Sequence, residues 1–265
     1  MENIVKIGEC AVREAGALLL ENFGKSYSIE KKADQSLVTE IDKKAESIVA
    51  SHIRSTFPHH RIIGEQTGSN IESDEYLWVI DPIDGTHNFI RGMKHFGVSL
   101  GIIRGSEFVA GIIFLPAENK MYVAEKGSGT FCNGKRCSVS NVKQASDATL
   151  LFDSGFRVKD EQKIEIFRTI APKMFNVRMF GASVINLTYV AEGIGDVLIE
   201  CDDNLWDYAA GITIVAEAGG LVTDFRGNPL TMSSRSYVAS NGLLNSHILK
   251  MLNEIEKTSG AYIGF

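Results

Sequence analysis

Segments of helical period alternate with short strand-like runs along this chain, and their order restricts it to layered sheets and helices. Ile4, Ile7, Ala11, Ala15 and Leu18 recur at helical spacing and Gly24 supplies a stop, which predicts an opening amphipathic helix. A second helix is predicted from about Thr39 to Phe57, ended by Pro58, with a short strand over 28–32 between the two. From Arg61 the texture changes to RIIGE, EYLWVID, VSLGIIR and FVAGIIF, separated by Gly, Ser, Asn and Pro. Gly105-Ser106 marks a hairpin, and Asn133-Gly134 is the signature of a type I′ turn. Further on, helices are predicted over 161–171, 183–192, 206–218 and 246–256. Strands are predicted near Val177 and over 196–199, 221–223 and 237–240. No repeat or linker interrupts the chain, and 265 residues with 44% hydrophobic content suffice for a full core. These features predict an α/β (α+β layered) fold in a single domain over 1–265, made of two packed halves that meet near 145–150.

A formal net charge of -6 gives no general attraction to nucleic acid or to an anionic membrane, so neither partner is expected. An anionic substrate would need a local device, and bound divalent cations invert the sign of a carboxylate-rich pocket. Cys10, Cys132, Cys137 and Cys201 are scattered, without the close pairing of zinc ribbons or thiol redox sites, and read as free thiols in a reducing compartment. The first residues carry acids where a signal peptide carries bases, and no run approaches the ~18 apolar residues of a membrane span. A cytoplasmic protein is the expectation.

The most informative stretch is 78–86, WVIDPIDGT, an apolar strand running into two carboxylates three residues apart and then into Gly-Thr. Such a turn can aim Asp81, Asp84 and the Ile83 carbonyl at one point, and oxygen ligands of this kind suit a hard cation. Magnesium in particular keeps positions open for water and substrate phosphate. Gly85 lets backbone approach a ligand, and a helix beginning at Thr86 would offer free amides to a phosphate oxygen. Asp, Pro and Gly are also ordinary turn formers. An EF-hand loop is excluded, because its alternating acids and closing Glu are absent. Glu65 ends another apolar strand. Asp207 precedes the apolar helical segment 209–218, where a capping role would also explain it, and Thr39 with Asp42 has the spacing of a capping box. One site for a phosphate-bound metal cluster uses all of these residues together.

In combination they resemble the inositol monophosphatase family, within the lithium-sensitive, magnesium-dependent phosphomonoesterase superfamily. The matching stretches are GEQ at 64–66, WVIDPIDGTHNF at 78–89 and LWDYAAGITIVAEAGG at 205–220, supported by LVTEID at 37–42 and GASVINL at 181–187. The resemblance implies a sugar-phosphatase-like αβαβα sandwich, commonly a homodimer. It implies a first magnesium on Glu65, Asp81 and the Ile83 carbonyl, and a second on Asp81, Asp84 and Asp207; some relatives hold a third, partly on Glu65 through water. It further implies that a metal-activated water attacks phosphorus in line while the other metal stabilises the leaving oxygen. Thr86 would orient that water with Asp42 behind it, and the amides of Gly85 and Thr86 would grip the phosphate. The substrate would meet Asp84, Gly85, Thr86 and Asp207 at its phosphate end, and Gly181, Ala182, Ser183 and Glu200 at its far end.

Three residues depart from the family pattern. Gln66 replaces an acid and weakens the third metal position. His87 stands where a second Thr or a small residue is usual, and a helix-packing role is expected for it. Asn204 stands where animal members carry His, so selectivity for inositol is open. The expected reaction is hydrolysis of myo-inositol monophosphate or related sugar and polyol monophosphates. Alternatives are the same chemistry on fructose 1,6-bisphosphate, NADP, histidinol phosphate or 3′-phosphoadenosine 5′-phosphate, or a noncatalytic phosphate-ligand sensor.

Overall fold

The computed structural model describes residues 2–25, 29–31, 37–66, 68–70, 76–156 and 160–259. In order the elements are α1 (Glu2–Asn22), β1 (Ile29–Lys31), β2 (Leu37–Thr39), α2 (Glu40–Thr56), β3 (Arg61–Gly64), β4 (Gly68–Asn70), β5 (Tyr76–Asp84) and α3 (Thr86–Ile90). Then come β6 (Gly97–Arg104), β7 (Glu107–Leu115), β8 (Lys120–Glu125), β9 (Gly129–Cys132), β10 (Lys135–Arg136), β11 (Thr149–Phe152), α4 (Asp160–Ile170) and β12 (Asn176–Arg178). The chain continues through α5 (Ser183–Ala191), β13 (Val197–Glu200), α6 (Leu205–Glu217), β14 (Leu221–Thr223), β15 (Tyr237–Ser240) and α7 (Asn245–Ser259). The strand expected over 28–32 is present at Ile29–Lys31, with 28 and 32 outside the described residues.

Two sheets organise the molecule. An eight-stranded sheet has the order β10-β9-β8-β7-β6-β5-β3-β4, and a five-stranded sheet has the order β12-β11-β13-β15-β14. Among the described residues of the larger sheet only β3 and β5 run parallel; the other pairs are antiparallel, as short connections require. The Asn133-Gly134 turn has φ of 48° and 79°, the positive values that a type I′ connection needs.

Period-two alternation along β5 separates its covering helices. Trp78 and Ile80 face Val12 and Leu19 of α1 and Val49 and Ile53 of α2, whereas Leu77 and Val79 face Ala209 of α6. With both faces covered, β5 is buried from Leu77 to Asp84. The far side of α5 and α6 rests on the smaller sheet, where Val184, Leu187 and Ile214 meet Leu198 and Ala239. Helices α4 and α7 close that sheet, as Ile166, Ile170, Ile248 and Leu252 pack on Phe152, Val197 and Val238. The layers are therefore α1/α2, large sheet, α5/α6, small sheet, α4/α7, the αβαβα sandwich that the resemblance implies.

Helix α6 lies close against the large sheet because β6 and β7 present glycines to it. A Cβ at Gly101 would stand 2.5 Å from that of Ala209, and one at Gly111 would collide with the backbone carbonyl of Ala210. This close seating brings the N-terminus of α6, with Asp207, toward the end of β5.

Candidate functional site

The end of β5 is shaped by its own sequence. Its pairing with β6 shifts register between Asp81, opposite Ser99, and Asp84, opposite Gly97. Pro82 sits inside this bulge, where it has no ladder hydrogen bond to forfeit. The Ile83 N–H turns back to Asp81 Oδ1 at 3.0 Å, and the Ile83 carbonyl accepts from Thr86 Oγ1 at 2.8 Å. Gly85 then adopts φ 83°, and a Cβ there would stand 2.7 Å from the His95 carbonyl, so glycine is required. Helix α3 begins at Thr86 as the motif suggested.

Two carboxyls of the site double as helix starts. Asp42 is the third residue of α2, and its Oδ2 accepts from the Thr39 N–H at 2.8 Å and the Thr39 hydroxyl at 2.6 Å. Its Oδ1 lies 3.3 Å from Thr86 Oγ1. The capping box and the Thr86 contact thus coexist on one side chain. Asp207 is not itself the cap of α6: Asn204 is, and Asp207 Oδ2 accepts from the Asn204 N–H at 2.6 Å. Asn204 also receives Arg235 Nη1 at 2.7 Å, and Arg235 is paired with Asp202.

Asp81 and Asp84 are 3% and 8% exposed, which places both carboxyls out of bulk water. Burial drives the Asp81 pKa well above the usual carboxylate range, and the charges of Glu65, Asp84, Asp207 and Asp42 push it the same way. Burial also pushes Asp84 up to about 7, while backbone N–H groups of Val184, Ser183 and Gly85 pull against it. Asp207 is pushed up to about 8, first by burial and then by the Asp84 charge. Asp42 is raised by burial against the hydrogen bonds of Thr39 and Thr86. These carboxyls sense one another across the chain, and among the described residues the largest charges acting on Asp81 are negative.

Such a set fits a hard divalent cation, which supplies the missing positive charge to oxygen donors. Among the described residues no three His, Cys, Asp or Glu side chains already converge as a closed ligand set. Instead, Asp81, Asp84 and Asp207 each turn an oxygen to a backbone N–H.

A cleft of about 1010 Å³ opens beside the cluster, with Glu65, Gly85, Thr86 and His87 on one wall and Gly181 and Phe180 on another. His87 is exposed there and does not pack within the fold, contrary to expectation, because the five-residue α3 points that position outward. Ala182 also reaches this wall, since a Cβ at Gly85 would stand 3.0 Å from its own. Ser183 Oγ contacts Asp203 Oδ2 at 3.3 Å, and Tyr237 donates to the same oxygen at 3.1 Å. Glu200, 3% exposed at the end of β13, accepts from Asn186 Nδ2 at 2.7 Å. Burial and then the Asp153 charge raise its pKa well above normal.

Sequence reasoning missed two residues of this region. Asn88 Nδ2 reaches the carbonyls of His95 and Phe180, both at 2.7 Å, and so ties the 180–181 segment to α3. Asp203 is half-buried and feels the charges of Glu200, Asp207 and Asp153, and the only signal was the unusual pair of acids before Asn204.

Comparison with known proteins gives one family. The profile described as the inositol monophosphatase family matches residues 1–257. A Thermotoga maritima protein named fructose-1,6-bisphosphatase/inositol-1-monophosphatase is 36% identical over 94% of this chain and 95% of its own length. Inositol monophosphatase 2 of Solanum lycopersicum is likewise 36% identical, over 97% of this chain and 100% of its own length. The solved Thermotoga maritima IMPase structure superimposes with a TM-score of 0.89 at 34% identity, over 97% of this chain and 99% of that one.

Proposed function

Since the chain belongs to the inositol monophosphatase family and is thereby a phosphoric monoester hydrolase, we propose that it hydrolyses myo-inositol monophosphate or a related sugar or polyol monophosphate, with magnesium as cofactor. One observation carries this reading: the charges of Glu65, Asp84 and Asp207 converge on the buried Asp81 carboxyl, beside the Thr86–Asp42 contact. A noncatalytic sensor would have no use for the second half of that arrangement.

Glu65, Asp81, the Ile83 carbonyl, Asp84 and Asp207 would hold two ions, and Gln66 removes an acid from a third position. Bound magnesium supplies Lewis acidity for the attacking water and charge for the leaving oxygen. The chain's own residues orient and receive. With its proton directed to Ile83 O or to Asp42, the Thr86 oxygen is left as an acceptor for the O–H of an incoming water. Asp42, with burial already favouring its protonated form, is suited to draw the proton away. The N–H groups of Gly85 and Thr86 would receive the phosphate, though Gly85 shares its own with Asp84. Gly181, Ala182, Ser183 and Glu200 would read the hydroxyls of the far end.

A second reading, fructose 1,6-bisphosphate, is favoured by the name of the Thermotoga maritima relative and by the size of the cleft. Phosphate release from inositol phosphates, fructose 1,6-bisphosphate, histidinol phosphate, NADP and the adenosine bisphosphate, each with and without magnesium and lithium, tests the proposal. The expected result is magnesium-dependent, lithium-inhibited turnover of a polyol or sugar phosphate by a homodimer. Turnover of no member would overturn it in favour of the sensor. No helix among the described residues is long and apolar enough to cross a membrane.

A further inference from the structure

Helix α2 carries a second buried carboxyl one turn beyond Asp42. Glu46 lies on the same face at the i+4 position, is 1% exposed, and points under the turn that presents Glu65. Its Oε2 accepts from the Gln66 N–H at 2.8 Å. The space above Gly64 belongs to it, because a Cβ at Gly64 would stand 2.5 Å from both carboxyl oxygens. Its Oε1 is buried with no hydrogen-bond partner among the described residues.

Stability does not explain such a residue. Like charges four apart weaken a helix, and a buried carboxyl with an unsatisfied oxygen is costly compared with an apolar side chain of similar volume. The geometry points to Glu46 as the positioning residue of the Gly64-Glu65-Gln66 turn. It fixes Glu65 by holding the next amide and by filling the gap left at Gly64. One face of α2 would then set two parts of the site, Thr86 through Asp42 and Glu65 through Glu46. This inference rests on Glu65 being a magnesium ligand.

The test is calorimetric titration of magnesium into the metal-free, full-length protein, alongside thermal melts of the same samples. Glu46→Met keeps the volume and removes the acceptor, and magnesium affinity is expected to fall about 10- to 100-fold, the usual effect of losing an outer partner of a metal ligand. Glu46→Gln keeps both volume and acceptor, and its affinity is expected to stay within about threefold of wild type on the same reasoning. A purely structural role would lower the melting temperature of Glu46→Met and leave its magnesium affinity unchanged, which overturns the inference. Should the Met variant fail to fold, a loss of about tenfold or more in Glu46→Gln, where the hydrogen bond is retained, overturns it as well. A wild type that takes up no magnesium would sink the metal reading itself, an outcome distinct from wild-type affinity in Glu46→Met.

Discussion

The Thr86 hydroxyl stands 3.3 Å from Asp42 Oδ1, while the other oxygen of the same carboxyl closes the capping box of α2. A helix start and the proposed reaction centre therefore share one side chain. Thr86→Ala removes the proposed water-orienting group but leaves the capping box of α2 in place, so kcat should fall about 100-fold or more, as for loss of a proton-transfer partner. Inhibition by inorganic phosphate should change little. Steady-state kinetics with phosphate as inhibitor checks this, and equal losses in both would make Thr86 a simple binding residue.

Asp84→Asn and Asp207→Asn should each reduce magnesium-dependent phosphate release by more than about 100-fold, beyond the usual effect of an outer partner. Asp84→Asn keeps an acceptor for the Val184 N–H, and Asp207→Asn keeps one for the Asn204 N–H, so both variants should fold. Undiminished activity in either would refute the two-metal assignment.

Metal-free protein should lose stability as pH rises. Burial holds Asp84 near 7 and Asp207 near 8, both above the ordinary carboxylate value that applies when unfolded. Between those limits the native state binds more protons than the unfolded chain. The stabilising contribution is therefore complete below the unfolded pKa and is lost as pH passes through the folded one. Melting temperature without metal should drop between about pH 5 and about pH 8.5, and magnesium should flatten the slope because it displaces those protons. A flat metal-free profile would contradict the raised carboxyls of Asp84 and Asp207.

Gly111→Ala should cost about 1–3 kcal/mol through overpacking, since the new methyl meets the Ala210 backbone. Because α6 also carries Asp207, weaker magnesium binding is expected beside the lowered denaturation midpoint. Chemical denaturation and metal titration of one sample measure both.

Much of this was legible in the chain. Helices α1 and α2 announce themselves by apolar spacing and by Gly24 and Pro58, and WVIDPIDGT shows a strand delivering carboxyls to a turn. Strands β2, β4, β8 and β11 were not foreseen, because three to six residues without a marked period acquire their identity only from neighbours. The site was harder to read where meaning lies in contact. Asn88 looks like any helix Asn until Phe180 and Gly181 are placed beside it, and His87 changes from packing residue to cleft wall once α3 proves to be a single turn. Glu46 gave no sign, since nothing local indicates that Gly64 lies above it.

The Asp84 carboxyl, fixed at the end of the large sheet, accepts a hydrogen bond from the Val184 N–H at the start of α5, the helix wedged between the two sheets. One atom is thus referenced to both layers of the sandwich. The site should act as a gauge of their alignment, because a slip of α5 would pull on the Asp84 carboxyl through this bond. Turnover should accordingly report loosening between the layers earlier than spectroscopic signals of unfolding do, and substitutions deep in α5 should register in kinetics without touching substrate.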